Sequence, residues 1–311
     1  MSLYTIIGDP HAKPDNLDKI DQLFDKIEEL GNDCIILGDL LDTKEVVRGK
    51  CLNKYIERIK QSTHKFYLLV GNHDWFNLSC EAHSLEPLKL LDNVVVVDNP
   101  LETQDFIAIP YMHDKEKLSQ IVATFVTKKK PLFCHVDMMN FDYGNGFISE
   151  HGLTVKDFKG YPMVISGHYH KAQSEENFTY LGTPFSHSFG ESNQEKYIGV
   201  YDSDNNHLDL FETNFPKHIT VEIEAAVDVR TNLNPNDYNR VIIKGNKEDI
   251  ARVPRISGIK YIERLTRASN SGIVIGEGLT PMSQFELWAK EVKKFSPDLI
   301  KKGLEILKDV Q

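Results

Sequence analysis

Short apolar runs and longer amphipathic segments alternate along the first two-thirds of the chain. Tyr4–Ile7 reads as a strand. Leu17, Ile20, Leu23, Phe24, Ile27 and Leu30 follow at steps of three and four, which predicts an amphipathic helix closed by Gly31. Cys34–Leu37 predicts a second strand, residues 52–59 a helix, and Phe66–Val70 a third strand. Val94–Val97, Phe106–Ile109, Leu132–Cys134 and Met163–Ile165 continue the series, with a helical pattern over 117–126 among them. Strand–helix alternation of this kind predicts an α/β sandwich with buried sheets. Past residue 170 come short strands without helices (Phe178–Leu181, Tyr197–Tyr201, Leu208–Phe211), as in an antiparallel flank.

From about residue 216 the texture changes. Ile219–Ile223, Arg240–Ile243 and Ile259–Glu263 predict strands around a short helix at 247–251, a small α+β unit. Residues 268–280, rich in Ser, Gly and Asn, read as a linker. Two helices follow at 281–294 and 297–310, each opened by a proline. The expected organisation is therefore a domain at 1–214, a small α+β domain at 215–267, the linker, and a helical segment at 281–311. Phe285, Trp288, Ala289 and Val292 form an apolar stripe on the first terminal helix, and Ile300, Leu304 and Leu307 another on the second. Such stripes usually pack on their own protein. Here they follow a linker, on a stretch too short to build a core of its own. A helical stretch after Asp74, with Leu78, Leu85, Leu88 and Leu91, reads either as core or as a contact between two copies.

Composition adds limits. Apolar residues make up 41% and charged residues 26% of 311, as in a globular protein. No apolar run nears the roughly 20 residues that span a bilayer. No basic leader precedes the first strand, so a cytoplasmic protein without membrane contact is expected. The four cysteines (34, 51, 80 and 134) form neither a C-x-x-C pair nor a zinc spacing, and read as small apolar residues. Net charge is −10, which argues against nucleic acid as a partner. The charge is uneven, however. Residues 1–214 carry 20 Lys and Arg against 33 Asp and Glu, whereas residues 215–311 carry 16 against 13. Acids that hold metal ions would account for part of the excess. Lys128, Lys129 and Lys130 could touch a phosphate backbone, although a three-lysine loop is more often solvated.

Five motifs stand where apolar runs end. They are Gly8-Asp9-Pro10-His11, Gly38-Asp39-Leu40-Leu41-Asp42, Gly71-Asn72-His73-Asp74, His135, and Gly167-His168-Tyr169-His170. Sites in α/β sheets assemble at the carboxyl ends of strands. A lone His or Asp there is usually structural; five together point to a metal centre. Carboxylates, imidazoles and an amide without thiolate suit octahedral Mn2+, Fe2+ or Mg2+. Seven such donors exceed the need of one ion, and a shared carboxylate can bridge two ions about 3.5–4 Å apart.

Taken in order, these motifs resemble the calcineurin-like metallophosphoesterase superfamily over roughly residues 3–212. The resemblance implies a two-sheet α/β metallophosphoesterase sandwich. It also implies two divalent metal ions, with Mn2+ the first choice and Mg2+ or Fe2+ the others. Asp9, His11 and His170 would hold one ion, and Asn72, His135 and His168 the other, with Asp39 bridging. His73 corresponds to the family's catalytic histidine, and Asp42 is expected to pair with it and orient it. Tyr180-Leu181-Gly182-Thr183-Pro184 and Ser188-Phe189-Gly190-Glu191 further resemble SbcD-type DNA repair and recombination nucleases, a family with bacteriophage members. That resemblance implies an α+β capping domain and a helical segment (Phe285, Trp288, Val292, Ile300, Leu304, Leu307) docking on an SMC-like ATPase. It also implies DNA as substrate, a homodimer, and, for a phage-encoded member, the host cytoplasm.

Two features separate the branches. Phosphatases of this fold carry Arg-Gly after the second Asp, whereas Thr43-Lys44 follows Asp42 here. Many cellular nucleases of the family have His where this chain has Asp42, which leaves the balance of exonuclease and endonuclease action open. Two rival readings stand beside the nuclease: a phosphomonoesterase acting on a protein or small molecule, and a non-catalytic scaffold. The scaffold would be marked by lost ligands, yet every ligand position is filled.

Overall fold

The structure is a computed structural model describing residues 2–225, 233–266 and 281–308, with the backbone alone at 281, 291, 292, 307 and 308. The expected linker at 268–280 and the end of the last helix lie outside the described residues, as do the side chains of Val292 and Leu307.

In chain order the strands are β1 (Leu3–Ile7), β2 (Asp33–Ile36), β3 (Phe66–Leu69), β4 (Val94–Val97), β5 (Leu101–Glu102), β6 (Ile107–Ile109), β7 (Leu132–His135) and β8 (Val164–Gly167). Then come β9 (Gln173–Glu175), β10 (Phe178–Tyr180), β11 (Tyr197–Asp202), β12 (His207–Glu212), β13 (His218–Glu224), β14 (Tyr238–Gly245) and β15 (Lys260–Leu265). The helices are α1 (Leu17–Leu30), α2 (Gly49–Gln61), α3 (Lys115–Phe125), α4 (Lys247–Arg252), α5 (Pro281–Leu287) and α6 (Pro297–Lys308).

Two six-stranded sheets carry the first unit, ordered β12-β11-β1-β2-β3-β4 and β5-β6-β7-β8-β10-β9. Side-chain alternation along the strands builds the layers. On β2, Cys34 and Ile36 face the core under α1 and α2, while Ile35 faces the other sheet. On β7, Leu132 and Cys134 face the core around α3, while Phe133 meets the first sheet's inner residues. Each strand is buried on both faces, which is why its sequence is a continuous apolar run rather than an alternating one. The result is the two-sheet α/β sandwich expected from the sequence.

β1, β2, β3 and β4 are mutually parallel, as are β6, β7, β8 and β10. Register aligns Ile7 with Ile36, Ile36 with Leu68, and His135 with Gly167. Parallel order therefore brings the five motif loops to matching strand ends. A third sheet runs β13-β14-β15. The chain divides into two compact units, one of residues 1–221, 232–240 and 258–260, the other of 222–231, 241–257 and 261–311. In the second unit the terminal helices pack on each other: Ala289 and Ile300 are buried, and Gly303 lets the Phe285 ring approach its backbone. Leu304 is half-buried, whereas Trp288, Phe295, Leu299 and Ile306 are exposed.

One expected element is different. The stretch after Asp74 is mostly loop, with only a short 3-10 helix at Glu86–Leu90 in place of the expected amphipathic helix. Phe76 N–H donates to Ala82 O, the Ser79 hydroxyl to Asn77 Oδ1, and Cys80 takes a left-handed φ of 55°. Local side-chain hydrogen bonds and Pro87 win over leucine spacing there. Leu85 and Leu88 are core, while Leu78 is 66% exposed.

Phe133 is fully buried edge-on to Phe106 (5.3 Å) and Tyr201 (5.4 Å), between the sheets. Phe133→Ala is expected to cost about 3–5 kcal/mol, read from urea unfolding. A loss below about 1 kcal/mol would contradict this packing.

Candidate metal centre

The motif residues meet. Asp39 lies between two groups of imidazoles, with Oδ2 3.6 Å from His11 Nε2 and 3.6 Å from His135 Nε2. Its Oδ1 accepts from His73 N–H at 2.8 Å. Asp9 accepts from His168 N–H at 2.9 and 3.1 Å, and its Oδ1 is 3.3 Å from His135 Nδ1. Glycine makes these approaches possible. A Cβ on Gly71 would lie 2.2 Å from Asp39 Oδ1, and one on Gly167 would lie 2.6 Å from Asp9 Oδ1. His11, Asp39 and His168 take positive φ values of 40°, 49° and 97°, strain of the kind found at ligand clamps.

Proton positions follow from the partners. His135 Nδ1–H donates to Leu37 O at 2.8 Å, which leaves Nε2 with a lone pair. His168 Nε2–H donates to Asp137 Oδ1 at 2.7 Å, which leaves Nδ1 with a lone pair. Both bare nitrogens sit 2.8 Å from the same acceptor, Asn72 Oδ1. Three lone pairs converge with no proton between them. On the other side, His170 Nδ1–H donates to Glu191 Oε1 at 2.9 Å, and its bare Nε2 lies 3.0 Å from His11 Nε2. His11 Nδ1 is buried with no hydrogen-bond partner. Facing acceptors repel unless a cation stands among them, so this donor set fits the divalent ions expected from the sequence.

The charges agree. Burial, and then the charge of Asp39, pushes the Asp9 carboxyl well above the usual carboxylate range. Burial would raise Asp39 too, but the imidazoles of His135, His11 and His73 outweigh it and hold that carboxyl below the range. Burial pushes the His135 ring down to about 4, so it stays neutral and able to ligate.

Several supporting roles were not assigned from the sequence. Asp137 and Glu191 orient the outer imidazoles. Buried Lys196 lies 2.7 Å from Glu191 and also donates to His170 O at 2.9 Å. Asp74, the last residue of its motif, is fully buried and accepts from Gly71, Leu40 and Leu41 N–H groups, tying two motif loops together. Its carboxyl is pushed up to about 8 by burial and by Asp39. Asp137 and Lys196 lie outside every motif, and all four roles show themselves only when the fold brings these residues to the ligands.

Asp42 differs from expectation. His73 Nδ1–H donates at 2.9 Å to the main-chain carbonyl of Asp42, not to its carboxylate. A peptide carbonyl fixes the imidazole tautomer without any contribution from side chain 42. The lysine loop also has a local role: Lys128 and Lys130 pair with Glu102 at 3.1 and 2.9 Å.

An α/β sandwich with carboxylate, imidazole and amide donors at its parallel strand ends defines a metal-dependent hydrolase of phosphoesters. Residues 3–172 match the calcineurin-like phosphoesterase pattern, and the chain belongs to that family. It is 29% identical over 281 residues to protein 078R of Invertebrate iridescent virus 3, which bears a provisional phosphoesterase name. That match covers 82% of this chain and 80% of the viral one. Protein 244L of Invertebrate iridescent virus 6, similarly named, is 32% identical over 203 residues, covering 60% of this chain and 71% of its own. Exonuclease subunit 1 of Enterobacteria phage T4 is 28% identical over 193 residues, or 58% of this chain and 56% of the phage protein. Among the described residues no helix is long and apolar enough to cross a membrane.

His187 supplies a pH test. Burial, opposed by Glu191, pushes its imidazole down to about 3. Below pH 6.5 the unfolded chain binds a proton there that the folded chain refuses, so stability falls on acidification. In EDTA, wild type should lose stability relative to His187→Gln between pH 6.5 and 4, by up to about 1.4 kcal/mol per pH unit. A constant difference in urea midpoints would contradict the buried neutral imidazole.

Proposed function

We propose that this chain is a two-metal DNA nuclease of the SbcD type, hydrolysing phosphodiesters with Mn2+ as its working ion. The convergence of lone pairs on Asn72 Oδ1, with Asp39 between the two imidazole groups, carries the two-metal part. In this reading Asp9, His11 and His170 would hold one ion, Asn72, His135 and His168 the other, and Asp39 would be shared between them. Similarity to the T4 exonuclease subunit supports DNA as the substrate, as does Thr43-Lys44 where phosphatases of the fold have Arg-Gly.

Two ions bound there would supply Lewis acidity toward the phosphoryl oxygens and the attacking water. The residues do the rest. Glu191 and Asp137 hold the His170 and His168 rings so that bare nitrogens face inward. His73, its Nδ1 proton held by Asp42 O, keeps Nε2 for exchange with the leaving 3′-oxygen. Asp9, Asp39 and Asn72 would offer only lone pairs to the ions, whose charge would offset the burial and the Asp39 charge that raise Asp9. The α+β unit, the exposed Trp288 and its neighbours, and a second copy of the chain serve in this reading as DNA cap, ATPase dock and dimer partner.

The direct test uses the purified chain with Mn2+, end-labelled single- and double-stranded DNA, and nitrophenyl phosphate. DNA should be degraded, EDTA should stop it, and added Mn2+ should restore it. His73→Ala should lower kcat by about 10²–10⁴ with bound metal unchanged. Asp42→Ala should cost less than about ten-fold, since the carbonyl contact survives the substitution. Intact DNA alongside rapid hydrolysis of nitrophenyl phosphate would overturn the nuclease reading in favour of a phosphomonoesterase.

A further inference from the structure

A cleft of about 310 Å³ opens beside the metal centre, with Lys13, Lys19, Phe185, His187, His218 and Tyr238 among its walls. His187 joins it to the centre, its ring 5.3 Å from His11 and 5.0 Å from Phe185. From there rings and cations interleave. Lys19 Nζ lies over both Phe185 (5.3 Å) and Tyr238 (5.0 Å). Tyr238 stacks on His218 at 4.6 Å and 23°, and His218 meets Phe189 edge-on at 4.8 Å. The Arg240 guanidinium (4.6 Å) and the Lys260 ammonium (5.6 Å) lie over Phe189.

Some lysines of this chain, whose net charge is −10, pair with acids (Lys54 with Asp21, Lys89 with Asp98, Lys171 with Asp142), whereas Lys19, Arg240 and Lys260 lie over rings beside the centre. Among the described residues Lys13, Lys19, Arg240 and Lys260 pair with no carboxylate, although exposed Asp15 also lines the cleft. Burial, then neighbouring Lys13, lowers the Lys19 pKa, and the more distant charges of Asp15 and Glu191 do not outweigh them. Tyr238 is 46% exposed, so one large ring is open to a ligand. Cations interleaved with rings, of which Tyr238 is exposed, fit a chain of phosphates and unstacked bases. A paired duplex offers the phosphates but keeps its base faces closed.

We propose that this strip is a single-strand track that leads the substrate's DNA strand to the metal centre. Lys13, Lys19, Arg240 and Lys260 take backbone phosphates, and Tyr238 takes a base against the exposed part of its ring. The inference rests on the nuclease reading for its substrate, but its test does not depend on cleavage.

Fluorescence anisotropy of a labelled oligothymidylate, in EDTA so that nothing is cut, measures Kd across a salt series. Lys19→Ala, Lys260→Ala and Tyr238→Ala should each raise Kd at least about five-fold. The two lysine variants should also reduce the slope of log Kd against log salt by about 0.7, the single-strand value for one phosphate contact. Tyr238→Ala should leave that slope unchanged, and Tyr238→Phe should restore binding. Lys129→Ala, which removes an exposed charge elsewhere, should bind as wild type does. Melting temperatures of the variants check that each is folded. Strip variants that bind like wild type, or a Lys129→Ala loss of the same size, would overturn the track. So would absence of single-strand binding by wild type, or tighter binding of a duplex of equal length. Cleavage of DNA in Mn2+ with unaltered binding by the variants would sink the track alone. Binding that follows the strip without any cleavage would sink the nuclease reading alone.

Discussion

Asp9 and Asp39 are both wholly buried, and the lone pairs of Asn72, His135 and His168 point at one another across 2.8 Å. With the Asn72 carbonyl oxygen facing both rings, no proton lies between these lone pairs, because the imidazole N–H donors are spent outward on Leu37 O, Asp137 and Glu191. Burying unpaired acceptors is unfavourable by several kcal/mol for each group unless something positive intervenes. The architecture around them serves to hold this unfavourable cluster in place. Parallel strands deliver the loops, glycines permit the close approach of carboxylates, and Asp74 ties the Asp39 and Asn72 loops through three backbone N–H groups.

The outer ring of partners has its own logic. Glu191 would be a second uncompensated buried carboxylate, but Lys196 neutralises it from within the fold. His170 is therefore oriented by an acid whose charge is already balanced, and the inner donors keep their charge for bound ions. The Lys19–Lys260 strip is built differently, with Lys19, Arg240 and Lys260 set over aromatic rings rather than against acids.

Much of this was legible in the sequence, and the reasons are local. Continuous apolar runs marked β1, β2, β3, β7 and β8 because both faces of those strands are buried. Ligand-type residues directly after the runs marked the strand ends, and parallel order did the rest. What escaped were roles without a local signature. Asp137 and Glu191 act through contacts made across the fold, to His168 and His170. The stretch after Asp74 carries leucines at helix-like intervals, yet its Ser79 and Asn77 side chains bond each other and Cys80 takes a left-handed φ. The expected Asp42–His73 pair placed the contact on the wrong atom, since spacing identifies a residue but does not distinguish its carboxylate from its carbonyl. Tyr238, Arg240 and Lys260 come from the third sheet, far in sequence from Lys19 and Phe185, so no window of sequence reveals their strip.

The central claim is that the donor cluster is held for a pair of divalent ions sharing Asp39. Anomalous diffraction from crystals soaked in Mn2+ tests it most directly. The account predicts two peaks about 3.5–4 Å apart, one against Asp9, His11 and His170, the other against Asn72, His135 and His168, with Asp39 touching both. A single peak, or none at this site with Mn2+ in excess, would contradict it.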